Sequence, residues 1–143
     1  MTESDCIFCK ITAGRIPALR VFENEHVLAF LDIGPLAEGH LLIVPKEHCE
    51  RLEQMSGEHL ARVVACFPRL ARAVMQVTGA PAYNLLQSNG REASQVVRHV
   101  HFHLIPRRAS DSLGYRWSAS TYPSGRGEEV CRQLQAALQS SGP

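Results

Sequence analysis

Three histidines alternate along one short segment of the chain, at His99, His101 and His103. If this segment is a β-strand, alternate side chains share a face, so all three imidazoles should project the same way. Three imidazoles on one face suit either a catalytic zinc ion or a histidine nucleophile with two supporting histidines. Spacing alone does not separate these interpretations. Gln95 and the polar turn at 88–90 favour the nucleophile, because they offer hydrogen bonds to an oxyanion and not metal ligands.

Cys6 and Cys9 form the second group that could do chemistry, because they share a Cys-x-x-Cys spacing. Two thiolates need two more ligands to complete a tetrahedral zinc site, and redox pairs use the same spacing, so the pair alone leaves both interpretations open. The chain has five cysteines, an odd number, and its polar start is unlike a secretory signal. We therefore expect reduced thiols and a cytoplasmic location.

The strands that must position these residues are visible as short apolar runs. The runs predict a hairpin within 20–33 and further strands at 40–44, 83–87 and 96–105. Strands and helices do not alternate strictly, and the turns between strands are short. The pattern therefore favours an α+β protein with an antiparallel sheet over a parallel, doubly wound one.

Two helices are predicted from apolar residues at three- and four-residue spacing. The first is one long helix over 57–78, kinked at Pro68, and the second is an amphipathic helix over 127–139 near the end of the chain. The long helix carries an apolar stripe that could serve both its own sheet and a partner. The stripe consists of Leu60, Val63, Val64, Phe67 and Leu70.

Composition excludes several classes of protein. The chain has 143 residues, 45% of them hydrophobic and 20% charged, which is ordinary for one globular domain. A net charge of +1 is too small for a nucleic-acid or membrane-surface protein, and no apolar run is long enough to span a membrane. Residues 88–143 contain 7 basic and 4 acidic side chains, a local excess that would suit a small anionic ligand.

Five ordered motifs together resemble one known family. They are Cys6–Ile11, Arg15–Ala18, Phe30–Pro35, Gly39–His48 and Ser88–Arg107. This set resembles the histidine triad (HIT) family over most of residues 6–107, and the match is weak in the tail and helix of 108–143. The resemblance implies a single HIT domain over 1–143. It also implies a five-stranded antiparallel sheet with one long and one C-terminal helix, paired into a ten-stranded homodimer through the long helix and a sheet edge.

The resemblance also implies an activity. Members of the family bind nucleotides and cleave at the α-phosphate through a covalent nucleotidyl-histidine. On this pattern His101 is the nucleophile, His103 bonds to the phosphate, and His99 supports the site from behind. Gln95 and the backbone N–H groups of 94–97, that of Val97 among them, would neutralise the phosphoryl oxygens. The substrate is expected to be a nucleoside phosphoramidate or a dinucleoside polyphosphate.

The nucleoside site can be carried over in the same way. Asp32 matches the acid that accepts hydrogen bonds from both ribose hydroxyls, and Ser88 matches a position that contacts the leaving group or phosphate. An apolar base pocket is implied as well, although its residues could equally be core. These residues are Ile7, Phe8, Ile11, Phe30 and Ile33.

A structural zinc ion is implied by the zinc-binding branch of the family. His48 and His99 stand where that branch supplies the two ligands that Cys6 and Cys9 lack, so His99 would be a zinc ligand. The chain departs from the family pattern at three positions. Ser88 stands where Asn or Gln is usual, Ser94 where Gly is usual, and Val96 where Ser, Thr or Glu is usual. These departures leave open how the leaving group is protonated.

Two alternatives to this hydrolase remain open. The first is a non-catalytic nucleotide-binding module, since Val96 cannot donate a hydrogen bond from its side chain. The second is a zinc hydrolase that uses all three histidines of the triad as ligands. Of the other histidines, His26 and His59 are expected at the surface, whereas His40 opens a strand near the nucleotide region and is a weaker candidate for a role.

Overall fold

Five β-strands form one antiparallel sheet in the computed structural model, which describes residues 5–114 and 119–140. In chain order they are β1 (Arg20–Glu23), β2 (Val27–Leu31), β3 (Leu41–Pro45), β4 (Ala82–Gln87) and β5 (Phe102–Arg107). Across the sheet the order is β1-β2-β3-β5-β4, so β5, which follows the histidines, is an inner strand. The predicted α+β class with a five-stranded antiparallel sheet is confirmed.

Four α-helices accompany the sheet within the described residues. They are α1 (Ile7–Thr12), α2 (Gly57–Val64), α3 (Phe67–Thr78) and α4 (Arg126–Ser140). None of these helices has the length and apolar composition to cross a bilayer. Single 3-10 turns lie at Leu52–Gln54 and Arg91–Ala93, and the second precedes the histidine segment in the chain.

The inner strands β2 and β3 are apolar on both faces, because each face supports a separate cluster. Alternate residues such as Ala29 and Ile43 pack with α2 and α3 on one face. The residues between them, such as Phe30 and Leu42, pack against α1 on the other face. The second cluster is the one that matters for the site, because it fixes α1 and the two cysteines beside it.

The predicted long helix is divided into α2 and α3. Ser56 begins α2 by accepting a hydrogen bond from the backbone of His59 at 3.1 Å. Proline cannot donate a helix hydrogen bond, so Pro68 lies in the first turn of α3, and the division falls just before it instead of a kink at the proline. Gly79 ends α3 in a left-handed conformation with φ of 66°, which glycine adopts at little cost.

The predicted strand over 96–105 is wrong in its first half and at its end. Pairing begins only at Phe102, because β3 pairs with β5 over Leu41–Ile43 alone. The segment before Phe102 is irregular and is held by bonds such as that from Val100 N–H to the Cys49 carbonyl at 2.7 Å. At the other end the strand continues through Pro106, where β5 is paired with β4 only, a position that tolerates proline.

Residues 114–143 form a second compact unit, separate from 1–113. Its helix α4 confirms the amphipathic helix predicted over 127–139, and Leu134 and Leu138 are largely exposed on it. The irregular stretch predicted over 109–126 includes 115–118, which lie outside the described residues. The single domain over 1–143 stays a prediction.

Candidate functional site

His99 lies apart from the other two histidines of the triad. The ring centroids of His101 and His103 are 5.1 Å apart, whereas Nδ1 of His99 lies 3.3 Å from the sulfur of Cys6. The predicted common face is therefore wrong for His99. The two-residue alternation of a strand holds only within regular pairing, and this begins at Phe102.

His101 is oriented by the backbone of His99. Its Nδ1 lies 2.7 Å from the His99 carbonyl oxygen, which can only accept, so Nδ1 carries the proton and Nε2 keeps its lone pair. The side chain is buried, and burial lowers the pKa of His101, against the opposing effects of the His99 carbonyl and Asp32. The ring is therefore a neutral imidazole near pH 7 with one unprotonated nitrogen.

A fourth histidine, His40, determines the protonation of His103. The backbone N–H of Leu36 donates to His40 Nδ1 at 3.1 Å, so the His40 proton sits on Nε2. That Nε2–H donates to Nδ1 of His103 at 2.8 Å, which leaves the His103 proton on its own Nε2. Burial, with the neighbouring His101 and His40, lowers the pKa of His103 to about 4, so it too is neutral near pH 7.

Sequence reasoning gave His40 little weight. It is buried to 2% exposure and precedes β3, the strand that pairs with the start of β5 through Leu42 and His103. The sequence signal for His40 was its position at the start of a predicted strand near the nucleotide region. The register that brings the two rings together could not be known before the pairing was seen.

Asp32 lies beside these histidines. Its Oδ1 accepts the Gly34 N–H at 2.8 Å, and its Oδ2 lies 3.7 Å from His40 Nε2. Asp32, His40 and His103 have ligand atoms within 4.8 Å of one another. They suit a metal poorly, however, because one His40 nitrogen already accepts a hydrogen bond and the other donates one, so ligation would require an imidazolate.

A cavity of about 420 Å³ opens beside His101 and His103. The ring of Phe8 meets that of His101 edge to face, with centroids 5.1 Å apart, and forms part of an apolar wall. Ile33 is 99% exposed and stands at the mouth. Seven residues predicted for substrate binding line the cavity, namely Ile7, Phe8, Ile11, Phe30, Asp32, Ile33 and Val97.

Gln95 and Ser88, which the sequence also placed in the site, are not among the described residues that line this cavity. The Gln95 side chain is instead used in the protein, because its Oε1 accepts from Gly90 N–H at 2.7 Å and its Nε2 donates to the Glu50 carbonyl at 2.6 Å. These two bonds hold the loop, and the predicted contact of Gln95 with the phosphate stays a prediction. Ser94 and Val96, two of the departures from the family pattern, do line the cavity.

Cys6, Cys9, His48 and His99 converge at the start of α1, with both cysteines and His99 buried. Nδ1 of His99 lies 3.3 Å and 3.4 Å from the two sulfurs and 3.1 Å from Nδ1 of His48. In tetrahedral zinc with bonds of about 2.0–2.3 Å, ligand atoms lie roughly 3.3–3.8 Å apart, close to these values. The His99 Nε2–H donates to the Pro45 carbonyl at 2.9 Å, so Nδ1 is free to bind a metal.

The two cysteines and the two histidines thus fit a closed metal site, and the three histidines of the triad do not. No group of possible metal ligands within the described residues contains His99, His101 and His103 together. The alternative of a zinc hydrolase with three triad ligands is therefore not supported by the donor geometry, since His99 faces the cysteines.

The fold and site define a class of α+β proteins with a histidine pair at the start of an inner strand, beside an apolar cavity. Within that class the chain belongs to the histidine triad family, because the HIT domain model matches residues 13–110. A relative from Schizosaccharomyces pombe, adenosine 5'-monophosphoramidase hnt1, is 39% identical over 137 residues, which cover 91% of this chain and 98% of the relative.

Solved structures agree with this assignment. The protein SMU.412c from Streptococcus mutans superposes with a TM-score of 0.92 and 39% identity, over 96% of this chain and 87% of that one. A histidine triad family protein from Mycobacterium smegmatis, described as Zn-bound, superposes with a TM-score of 0.74 and 37% identity, over 96% of each chain. The resemblance seen in the sequence is thereby confirmed.

Proposed function

We propose that this protein is a nucleotide hydrolase or transferase that cleaves at the α-phosphate through a covalent nucleotidyl-histidine intermediate. The substrate is a nucleoside phosphoramidate or a dinucleoside polyphosphate. The observation that carries the proposal is the protonation of His101, whose Nδ1–H is bound to the His99 carbonyl so that Nε2 presents a lone pair beside the cavity. Family membership and the relative named as a monophosphoramidase support it.

The reaction follows from this geometry in two displacements. His101 Nε2 attacks the α-phosphorus, a P–N bond forms, and the bond to the leaving group breaks with its electron pair passing to that group. A polyphosphate leaves as the anion, whereas an amine leaving group takes up a proton from solvent as it departs. Water then attacks the same phosphorus and releases a proton to solvent, the P–N bond breaks, and His101 regains its lone pair. His103, which holds a proton on Nε2, donates a hydrogen bond to the phosphoryl oxygens or to the leaving group.

The substrate is positioned by groups around the cavity. Asp32 accepts hydrogen bonds from the ribose, and the apolar wall with Phe8 and Ile33 holds the base. No described group accepts a hydrogen bond from the backbone N–H of Val96 or Val97, so both are available to the phosphate. Gln95, also predicted to contact the phosphate, lies in the same loop, where its side chain bonds to Gly90 and Glu50.

The test is to quench the enzyme in acid during turnover of an adenosine phosphoramidate or a dinucleoside polyphosphate and to measure its mass. A gain of one nucleoside monophosphate on the peptide that contains His101 supports the proposal. An adduct on His103 or on a cysteine contradicts it. Absence of both adduct and turnover would favour the non-catalytic binding module, the alternative that the apolar Val96 side chain keeps open.

A structural zinc ion and a homodimer belong to the same proposal. Zinc would join α1 to the histidine segment through Cys6, Cys9, His48 and His99, and its chemistry there is structural. The homodimer would form through α2, α3 and the edge strand β4. Much of the predicted helix stripe is already buried against its own sheet, so we assign more of the interface to β4, where Tyr83 and Leu85 are partly exposed.

A further inference from the structure

A second cavity, of about 630 Å³, adjoins the first along the loop that contains Ser94 and Val96, since these two residues line both. It is larger than the nucleoside cavity, and three of its lining side chains are arginines. These are Arg51, Arg91 and Arg98. None of the triad histidines and none of the four possible metal ligands lines this cavity.

The arginines differ in how far the protein already neutralises them. Arg98 donates to Glu50 Oε2 at 2.8 Å and is committed to that ion pair. Arg51 is half exposed and makes only a long ion pair with the exposed Glu53, at 3.8 Å. Arg91 has no ion pair with any described residue. The guanidinium group of Arg91, and that of Arg51 in exchange for its weak exposed pair with Glu53, can therefore bind an anion.

The wall that carries these arginines is held in place by two cross-links. Gln95 joins the Gly90 N–H to the Glu50 carbonyl, and Asn89 Oδ1 accepts the Leu52 N–H at 2.8 Å. An added Cβ on Gly90 would lie 3.3 Å from a guanidinium nitrogen of Arg51, so Arg51 rests against this loop. A cavity whose walls are fixed before binding loses less entropy when a ligand enters.

We propose that this second cavity binds an anionic leaving group, the polyphosphate chain of a dinucleoside polyphosphate, through Arg51 and Arg91. The inference rests on the proposed function and selects one of its two substrate classes. A neutral amine leaving group from a phosphoramidate has no anionic oxygen that two guanidinium groups could bind. A cavity of 630 Å³ is also far larger than a single tetrahedral oxyanion needs.

The second cavity adjoins the cavity lined by His101, and a polyphosphate leaving group is long enough to extend from one toward the other. The leaving group of an in-line displacement departs on the side of phosphorus opposite to the attacking nitrogen of His101. The loop of Ser94 and Val96 borders both cavities, so a chain that extends past it from the first cavity enters the second. Glu92 also lines the second cavity and opposes an anion, which makes it a useful site for a gain-of-binding variant.

The experiment compares wild type with Arg51→Ala/Arg91→Ala on two substrates, diadenosine tetraphosphate and an adenosine phosphoramidate with an uncharged amine. We expect kcat/KM for the tetraphosphate to fall roughly 10- to 100-fold, as for the loss of charge-assisted hydrogen bonds, and that for the phosphoramidate to stay unchanged. Arg72→Ala, an exposed arginine on α3 that lines neither cavity, is the matched control. Equal losses on both substrates, or no loss on the tetraphosphate, would overturn the inference.

Binding of inorganic tripolyphosphate, measured by calorimetry, tests the cavity without turnover. The double variant should lose the binding seen with wild type, and Glu92→Gln should strengthen it, because an opposing charge is removed. No binding to wild type, or binding unaffected by either variant, overturns the inference. If wild type turns over neither substrate, the proposed function fails, and the tripolyphosphate result alone then decides whether the anion site exists.

Adenosine 5'-phosphosulfate, whose leaving group is one oxyanion, separates a polyphosphate site from a site for any small anion. The double variant should lower its kcat/KM much less than that of the tetraphosphate, because a sulfate offers less charge and fewer acceptor oxygens to the two guanidinium groups than a polyphosphate does. An equal loss on both substrates would overturn the polyphosphate assignment in favour of a site for a single oxyanion.

Discussion

The carbonyl oxygen of His99 accepts the Nδ1 proton of His101 at 2.7 Å, while the His99 ring directs its own Nδ1 toward two cysteine sulfurs. His99 therefore links the Cys6–Cys9–His48–His99 group to the proposed nucleophile. Its side chain belongs to that group, and its backbone carbonyl holds His101. Anything that displaces His99 should change both the metal affinity and the orientation of His101.

Replacing His101 tests the nucleophile directly. His101→Ala should abolish turnover because, among the described residues, no other neutral imidazole with a free nitrogen lines the cavity, and nucleotide binding should persist because the cavity walls remain. Steady-state kinetics and nucleotide titration measure the two effects. His101→Gly should recover part of its transfer activity with added imidazole, whereas full activity of His101→Ala would refute the mechanism.

His40 should act as a positioning residue for His103. His40→Ala removes the proton donor at 2.8 Å from His103 Nδ1 and should lower kcat roughly tenfold, the effect of about one hydrogen bond, with little change in KM. His40→Gln keeps an N–H donor and should recover part of the loss. In the His103→Ala background, His40→Ala should have no further effect on kcat, and additive losses would contradict the assignment.

Removal of a cysteine ligand should release the metal. Cys6→Ser should lose zinc by elemental analysis. It should also lower the free energy of unfolding by about 4 kcal/mol when free zinc exceeds its Kd a thousandfold. Cys131→Ser changes an exposed thiol in α4 and is the control for the substitution itself. Well-folded wild type with no zinc and with both Cys6 and Cys9 open to thiol reagents would rule out the site.

Acid should destabilise the protein through His103. Its pKa is lowered from 6.5 to about 4, so between these values the unfolded chain binds a proton that the folded chain does not. The stability is fully present above about pH 6.5 and falls as the pH drops toward 4. Denaturation midpoints measured across this range should fall more steeply for wild type than for His103→Gln. Parallel curves for the two proteins would show that His103 does not titrate in this way.

Association should depend on the edge strand β4. Sedimentation at micromolar concentration should give twice the 15.8 kDa mass of one chain, and Leu85→Lys should shift it to the monomer, because a charge on a sheet edge opposes pairing. Leu19→Lys, at an exposed position before β1, should leave the mass unchanged. A monomer at all concentrations of wild type would contradict the homodimer.

Much of the fold followed from local patterns in the sequence. Apolar runs and helical periodicity are properties of neighbouring residues. They predicted the bounds of β2, β3, β4 and α4 within a few positions. The four metal-ligand positions and the cavity residues came from ordered motifs, because spacing along the chain survives without knowledge of the fold. Pro68 marked the interruption between α2 and α3 but not its form.

The rest depended on contacts between residues far apart in the chain. The pairing of β3 with β5 brings His40 to His103 across 63 positions, and the cross-link from Gln95 to Glu50 spans 45. Sequence alone gives no register for such pairs, since a shift of one residue would turn each side chain to the other face. The sequence therefore determined which groups are available for chemistry. The tertiary structure alone decided that His99 does not share a face with His101 and His103, that His40 bonds to His103, and that Gln95 bonds to Gly90 and Glu50.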